Sequence, residues 1–100
     1  MSNKDIHIDQ WFWDRGITQN GNAMAQAIKT LEETTELLDA INKDDEYEIM
    51  DAIGDIYVTL RGVCLTRGIF MDDCINQAYN EIKDRKGHLT PDGMFVKEVE

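Results

Sequence analysis

Proline occurs once in this sequence, at Pro91, so no ring interrupts long helices in the first ninety residues. Cysteine is scarce: Cys64 and Cys74 are the two present. They lie in apolar segments without C-x-x-C spacing, which argues against a disulfide framework and reads them as small reduced core residues. Histidine is as rare, and His7 and His88 stand apart in polar surroundings, so neither is read as a metal ligand or general base. There is no Ser/His/Asp arrangement, no P-loop and no glycine-rich phosphate cradle. No apolar run approaches the ~20 residues of a membrane span. Basic residues are few: ten Lys and Arg face twenty Asp and Glu, a net charge of -10. That balance repels a phosphate backbone and an anionic membrane, which sets aside nucleic acid and membrane as general partners. An anionic ligand would need a bound metal ion or a local basic patch to bridge it to this chain. The start Met1-Ser2-Asn3-Lys4 has no apolar leader, and with the reduced thiols it gives the expectation of a cytoplasmic protein.

What is present is one small domain, residues 1–100, with 42% hydrophobic residues. A chain of this size buries only roughly 60 to 68% of its extended surface, so a partner chain is expected to complete the core. A first helix is predicted from Ile6 to Asp14, ended by Arg15-Gly16 and anchored by Trp11, Phe12 and Trp13. After the turn Asn20-Gly21-Asn22, a second runs from Ala23 to about Ile41, with Met24, Ile28, Leu31, Thr35 and Leu38 as its buried stripe. A third, capped by Asp44 or Asp45, runs from Glu46 to about Thr66 with Ile49, Ile53, Ile56, Leu60 and Val63 or Cys64 in the same spacing. Gly68 ends it, and a fourth opens at Met71 or Asp72 and continues to about Arg85. In the tail, residues 86–100, the turn signal Thr90-Pro91-Asp92-Gly93 predicts a short hairpin. The expected fold is all-α: an antiparallel helical hairpin with flanking helices, completed as a four-helix bundle by oligomerisation.

Acids concentrate on the hairpin. The second helix carries Glu32, Glu33 and Glu36 on one flank, and the third carries Glu48, Asp51 and Asp55 at spacings of three and four. Antiparallel pairing across a short loop sets Glu36 level with Asp51, and Glu33 or Glu32 level with Asp55. Like charges at such spacing each cost a few tenths of a kcal/mol, so rows that converge call for a cation. Carboxylates without histidine suit a hard ion, Mg²⁺ or Mn²⁺. A solvated acidic helix face is the other reading of the same spacing.

The run Gln26-x-x-Lys29-x-x-Glu32-Glu33-x-x-Glu36-Leu37, followed by Asp51-Ala52-Ile53-Gly54-Asp55, resembles the all-α nucleoside triphosphate pyrophosphohydrolase superfamily, the MazG-like proteins. Their mark is E-E-x-x-E and then E-x-x-D. The resemblance extends from Trp11 to Asn80-x-x-Lys83-x-Arg85. It departs at Ala52, where the pattern ending at Asp55 has an acid, while Asp51 stands one position earlier. The resemblance implies Mg²⁺-dependent cleavage of a nucleoside triphosphate to the monophosphate and pyrophosphate in a homodimer or homotetramer. Metal roles then fall on Glu33, Glu36 and Asp55, and next on Asp51 and Glu32, while Glu32 or Glu36 takes the proton of a bound water.

The same resemblance has Lys83 and Arg85 clamping phosphate oxygens and Asn80 contacting sugar or base; cations complementing a helix dipole are the structural alternative. Lys29 pairs with Glu33 or reaches a phosphate. Trp11 and Trp13 anchor the first helix or stack on a base. Two rivals to the enzyme remain: an acidic helical module that mimics phosphate for a basic partner, and a catalytically silent sibling of the family, for which Ala52 is the warning.

Overall fold

The computed structural model describes residues 4–99, so the leader reading at Met1-Ser2-Asn3 and the last residue lie outside it. The described residues fall into two compact units, one ending at Phe70 and one beginning at Met71.

The first unit holds α1 (Lys4–Asp14), α2 (Ile17–Asn20), α3 (Ala23–Asn42) and α4 (Glu46–Arg67). Each boundary has a local cause. The Asn22 side chain accepts a hydrogen bond from the Ala25 amide and Asp45 accepts one from Glu48, so two of the helices start on a side-chain cap. Gly68, left-handed at φ 68°, closes α4. Between the long helices, Asp44 also turns left-handed, φ 56°, a conformation that aspartate tolerates better than most residues. The four-residue α2 was not foreseen; it follows a left-handed Gly16, where the sequence suggested only a joint.

Helices α3 and α4 form the expected antiparallel hairpin; α4 turns the predicted Ile49 and Ile56 inward, but α3 packs on a different face from the one predicted. The residues of α3 turned inward are Ala23, Gln26, Thr30, Glu33, Leu37 and Ala40, a stripe at spacings of three and four made mostly of small or polar side chains. Opposite them lie Ile49, Ala52, Asp55, Ile56, Thr59 and Gly62. The Thr30 hydroxyl donates to Thr59 at 2.8 Å across the seam. A Cβ on Gly62 would stand 2.5 Å from Gln26 Oε1 and 2.9 Å from Phe12 Cζ, so this glycine is set by close approach. The predicted stripe of α3 is therefore exposed: Met24, Ile28, Leu31 and Leu38 are each more than half accessible, as is Ile53 on α4. Small residues let the helices approach along the seam, and the large apolar ones are left for another surface.

Helix α1 lies against α4 through Phe12, which is 2% exposed, and through charge. Buried Asp5 accepts a hydrogen bond from the Tyr57 hydroxyl at 2.8 Å, and Arg61 grips Asp9 with two bonds of 2.8 and 2.6 Å. Trp11 and Trp13 are exposed rather than anchored; Trp11 meets Phe12 edge-on and carries the Arg15 guanidinium 4.3 Å from its ring centre. Cys64 is half-buried and Cys74 exposed, so only the first resembles the expected core thiol; neither forms a disulfide.

The second unit contains α5 (Met71–Ile82) and a two-stranded antiparallel hairpin, β1 (Gly87–Leu89) with β2 (Phe95–Lys97). The helix ends three residues earlier than predicted, leaving Lys83 to Arg85 in the turn that follows. The strand register pairs Gly87 with Lys97, His88 with Val96 and Leu89 with Phe95. Thr90 closes the loop through its amide to the Met94 carbonyl and a bond from its hydroxyl to Asp92. No helix among the described residues is long and apolar enough to cross a membrane.

Replacing Gly62 should loosen the unit where three elements meet. Gly62→Val is expected to cost about 1–3 kcal/mol, the range for overpacking a tight contact, read as a lower midpoint in thermal unfolding followed by circular dichroism.

Candidate metal centre

Two of the inward positions of the seam are acids. Glu33 from α3 and Asp55 from α4 face one another, and Glu36, one turn on from Glu33, leans into the same place. Carboxylate oxygens of Glu33, Glu36 and Asp55 all lie within 4.8 Å of one another. The spacing of three along α3 and the antiparallel level of α4 produce this directly; of the two residues the sequence offered opposite Asp55, Glu33 and Glu32, the structure brings Glu33.

The electrostatics are those of a cluster of like charges that Lys29 offsets only in small part. Burial pushes the Glu33 carboxyl above the usual range, and neighbouring Glu36 and then Asp55 push it further. Asp55 is raised by burial first, then by Asp51 and Glu36. One oxygen of Glu33, Oε2, is buried without a hydrogen-bond partner. A buried carboxylate oxygen with no donor is costly, and three carboxylates around it provide the hard, anionic oxygen set that Mg²⁺ or Mn²⁺ prefers. The residues present fit such an ion.

The other acids divide. Asp51 adjoins the cluster, close enough to raise Asp55 and lining, with Glu36, Asp39, Lys43, Glu48 and Ala52, a cavity of about 330 Å³ at the loop end of the hairpin. Ala52 is only 4% exposed in that wall. Glu32 does not join. Its carboxylate points to solvent and binds Lys29 at 3.0 Å, so Lys29 pairs with Glu32 instead of the expected Glu33, and its ammonium is held more firmly protonated. Lys43 is held in the same way by Asp39 at 2.9 Å.

In the second unit, Asn80 lies exposed on α5, and Lys83 and Arg85 lie in the turn after it. Both follow α5 closely, and the Lys83 amide still bonds to the Tyr79 carbonyl, so the helix-dipole role remains open to Lys83. Arg85 and Lys86 line a cavity of about 390 Å³ with Lys97, which the sequence did not single out because it is remote in the chain.

Sequence reasoning also missed the tie between α1 and α4. A signal was there: Asp5 and Asp9 are four apart on one helix, and Tyr57 and Arg61 four apart on another, so the two pairs can meet in parallel ridges. Asp9 drives Arg61 well above its usual basicity, and burial followed by the bond to Asp5 raises Tyr57.

The model of the family described as phosphoribosyl-ATP pyrophosphohydrolase matches residues 2–95. A protein of Haemophilus phage HP1 (strain HP1c1), described as an uncharacterized 18.2 kDa protein of the rep-hol intergenic region, is 35% identical over 54 residues. That match takes in 54% of this chain and 33% of the phage protein, so the chain spans about a third of its relative. No solved structure matches.

A raised carboxyl favours folding only while protonated. The cluster's contribution is therefore fully present below the ordinary carboxylate range and is lost as pH rises through the elevated values of Glu33 and Asp55. In metal-free protein at pH 7, Glu33→Gln should raise the unfolding midpoint by roughly 2 °C or more, with the difference vanishing in acid. Differential scanning calorimetry in EDTA at both pH values checks it; an unchanged midpoint at pH 7 would remove the repulsion on which the metal reading stands.

Proposed function

The chain belongs to the phosphoribosyl-ATP pyrophosphohydrolase family, within the all-α nucleoside triphosphate pyrophosphohydrolase superfamily, and on that premise we propose that it hydrolyses a nucleoside triphosphate to the monophosphate and pyrophosphate with Mg²⁺ as cofactor. Mn²⁺ would serve the same oxygen set. The observation that carries the reading is the convergence of Glu33, Glu36 and Asp55 around an unpartnered buried oxygen. It favours an enzyme over a phosphate mimic, which needs its carboxylates spread over the outer surface.

Glu33, Glu36 and Asp55 would hold the ion, and Asp51 supplies the charge missing at Ala52. A bound divalent ion neutralises a triphosphate and acidifies a coordinated water, the chemistry that phosphoanhydride cleavage needs. Glu36 holds the proton taken from the attacking water; Glu32, the other candidate, is engaged with Lys29. Lys83 and Arg85 are the candidates for phosphate oxygens and Asn80 for sugar or base, supported by their charge and by the family pattern.

The exposed apolar faces of α3 and α4 support a homo-oligomer in which a second copy covers them and completes a four-helix bundle. The expected result by light scattering is a dimer or tetramer, and Leu31→Glu, which puts a charge in the middle of that face, should shift the mass toward monomer. A monomer mass independent of concentration in the unaltered protein would contradict this.

The functional test is a screen of ribo- and deoxynucleoside triphosphates for pyrophosphate release with and without Mg²⁺. On the best substrate, Asp55→Asn should lower the rate at least ~100-fold, the scale of losing a key electrostatic group, while leaving the circular dichroism spectrum unchanged. Asp51→Asn should be nearly as damaging and Glu48→Gln mild. Full activity in Asp55→Asn would sink the metal-centre model.

A further inference from the structure

Because the chain carries a net charge of -10, a phosphate polyanion can settle only where cations are both clustered and uncommitted. Most cations of the first unit are committed: Lys29 to Glu32, Lys43 to Asp39, Arg61 to Asp9 and Asp5, and Arg15 to the face of Trp11. In the second unit the situation reverses. Arg85, Lys86 and Lys97 line one cavity of about 390 Å³, yet none makes an ion pair within 4.0 Å among the described residues. Glu81, Asp84 and Glu98 share the wall, but among the described residues none of them forms an ion pair with these three cations.

The backbone keeps them there. Gly87 pairs with Lys97, and a Cβ at residue 87 would run into the Val96 carbonyl oxygen, with the Phe95 ring 2.6 Å away. The Glu98 amide donates to the Lys86 carbonyl at 2.7 Å, which fastens the second strand alongside the segment bearing Arg85 and Lys86. The hairpin thus carries Lys97, eleven positions from Lys86 in sequence, into the same cavity wall.

We propose that Lys86 and Lys97, together with Arg85, form a binding site for the phosphate chain of a nucleotide, with the β-hairpin as the element that delivers Lys97 to it. The choice of ligand rests on the pyrophosphohydrolase reading; the site itself rests on the unpaired cations. Charge-assisted contacts from three side chains suit a diphosphate or triphosphate better than a single carboxylate, because the cations are spread around a cavity instead of gathered at one point.

Inorganic pyrophosphate in EDTA is the probe, since without divalent ions the carboxylate cluster repels it and only this site can hold it. Titration calorimetry should show binding to the unaltered protein, weakened about tenfold by Lys97→Gln or Lys86→Gln and lost in the double variant. Arg67→Gln, which removes an equal charge from the end of α4, should bind as the unaltered protein does. In turnover with Mg²⁺, Lys97→Gln should raise KM with kcat unchanged. No binding in EDTA, equal loss in Arg67→Gln, or an unchanged affinity in the double variant overturns the site. A protein that binds pyrophosphate through Lys86 and Lys97 but releases none from any nucleoside triphosphate keeps the site and overturns the enzymatic reading instead.

Discussion

The close approach of α3 and α4 along a seam of small residues governs what the rest of the first unit can do. Ala40, Ala52 and Gly62 offer little side chain, and Thr30 bonds to Thr59 across the gap. At that separation two acids cannot avoid one another, so Glu33 and Asp55 meet in the seam while Glu36 closes the triangle. The same economy of size leaves Leu31, Leu38 and Ile53 exposed on the outer side. A carboxylate cluster and an exposed apolar surface are thus two faces of one packing choice.

The large outlines of this arrangement were legible in the sequence, and the reasons are local. Asn22 and Asp45 are strong cap residues, so the starts of α3 and α4 fell where predicted. That Glu33 or Glu32 would stand level with Asp55 followed from helix geometry and a short connection, which tertiary context could not alter. Which face was inside was not legible. Periodicity marks an apolar stripe as buried, but cannot say whether it is buried within the chain or against another, and here the seam took the polar and small positions. The tie of Asp5 and Asp9 to Tyr57 and Arg61 escaped for a related reason: acids on a first helix look like a solvated surface until their partners, fifty-two residues away, are known.

Glu32 shows where a motif overreaches. It stands beside Glu33 in the run that carries the resemblance, yet one residue along a helix is a turn of about 100°, enough to move its carboxylate from the seam to Lys29. Ala52 shows the reverse. Its place among Glu36, Asp51 and Glu48 marks it as part of the acidic wall although it brings no charge of its own.

The fork between Arg61 and Asp9 also bears on the order in which the chain folds. The α3–α4 hairpin joins neighbours across a loop of three residues, from Lys43 to Asp45, and its contacts grow outward from that loop at small entropic cost. Docking α1 closes a loop of fifty-two residues, and its grip includes charged groups that must shed water to meet. The hairpin therefore forms first and presents Tyr57 and Arg61 as a finished landing strip. Within this unit, the helix that comes first in the sequence docks onto a hairpin already in place.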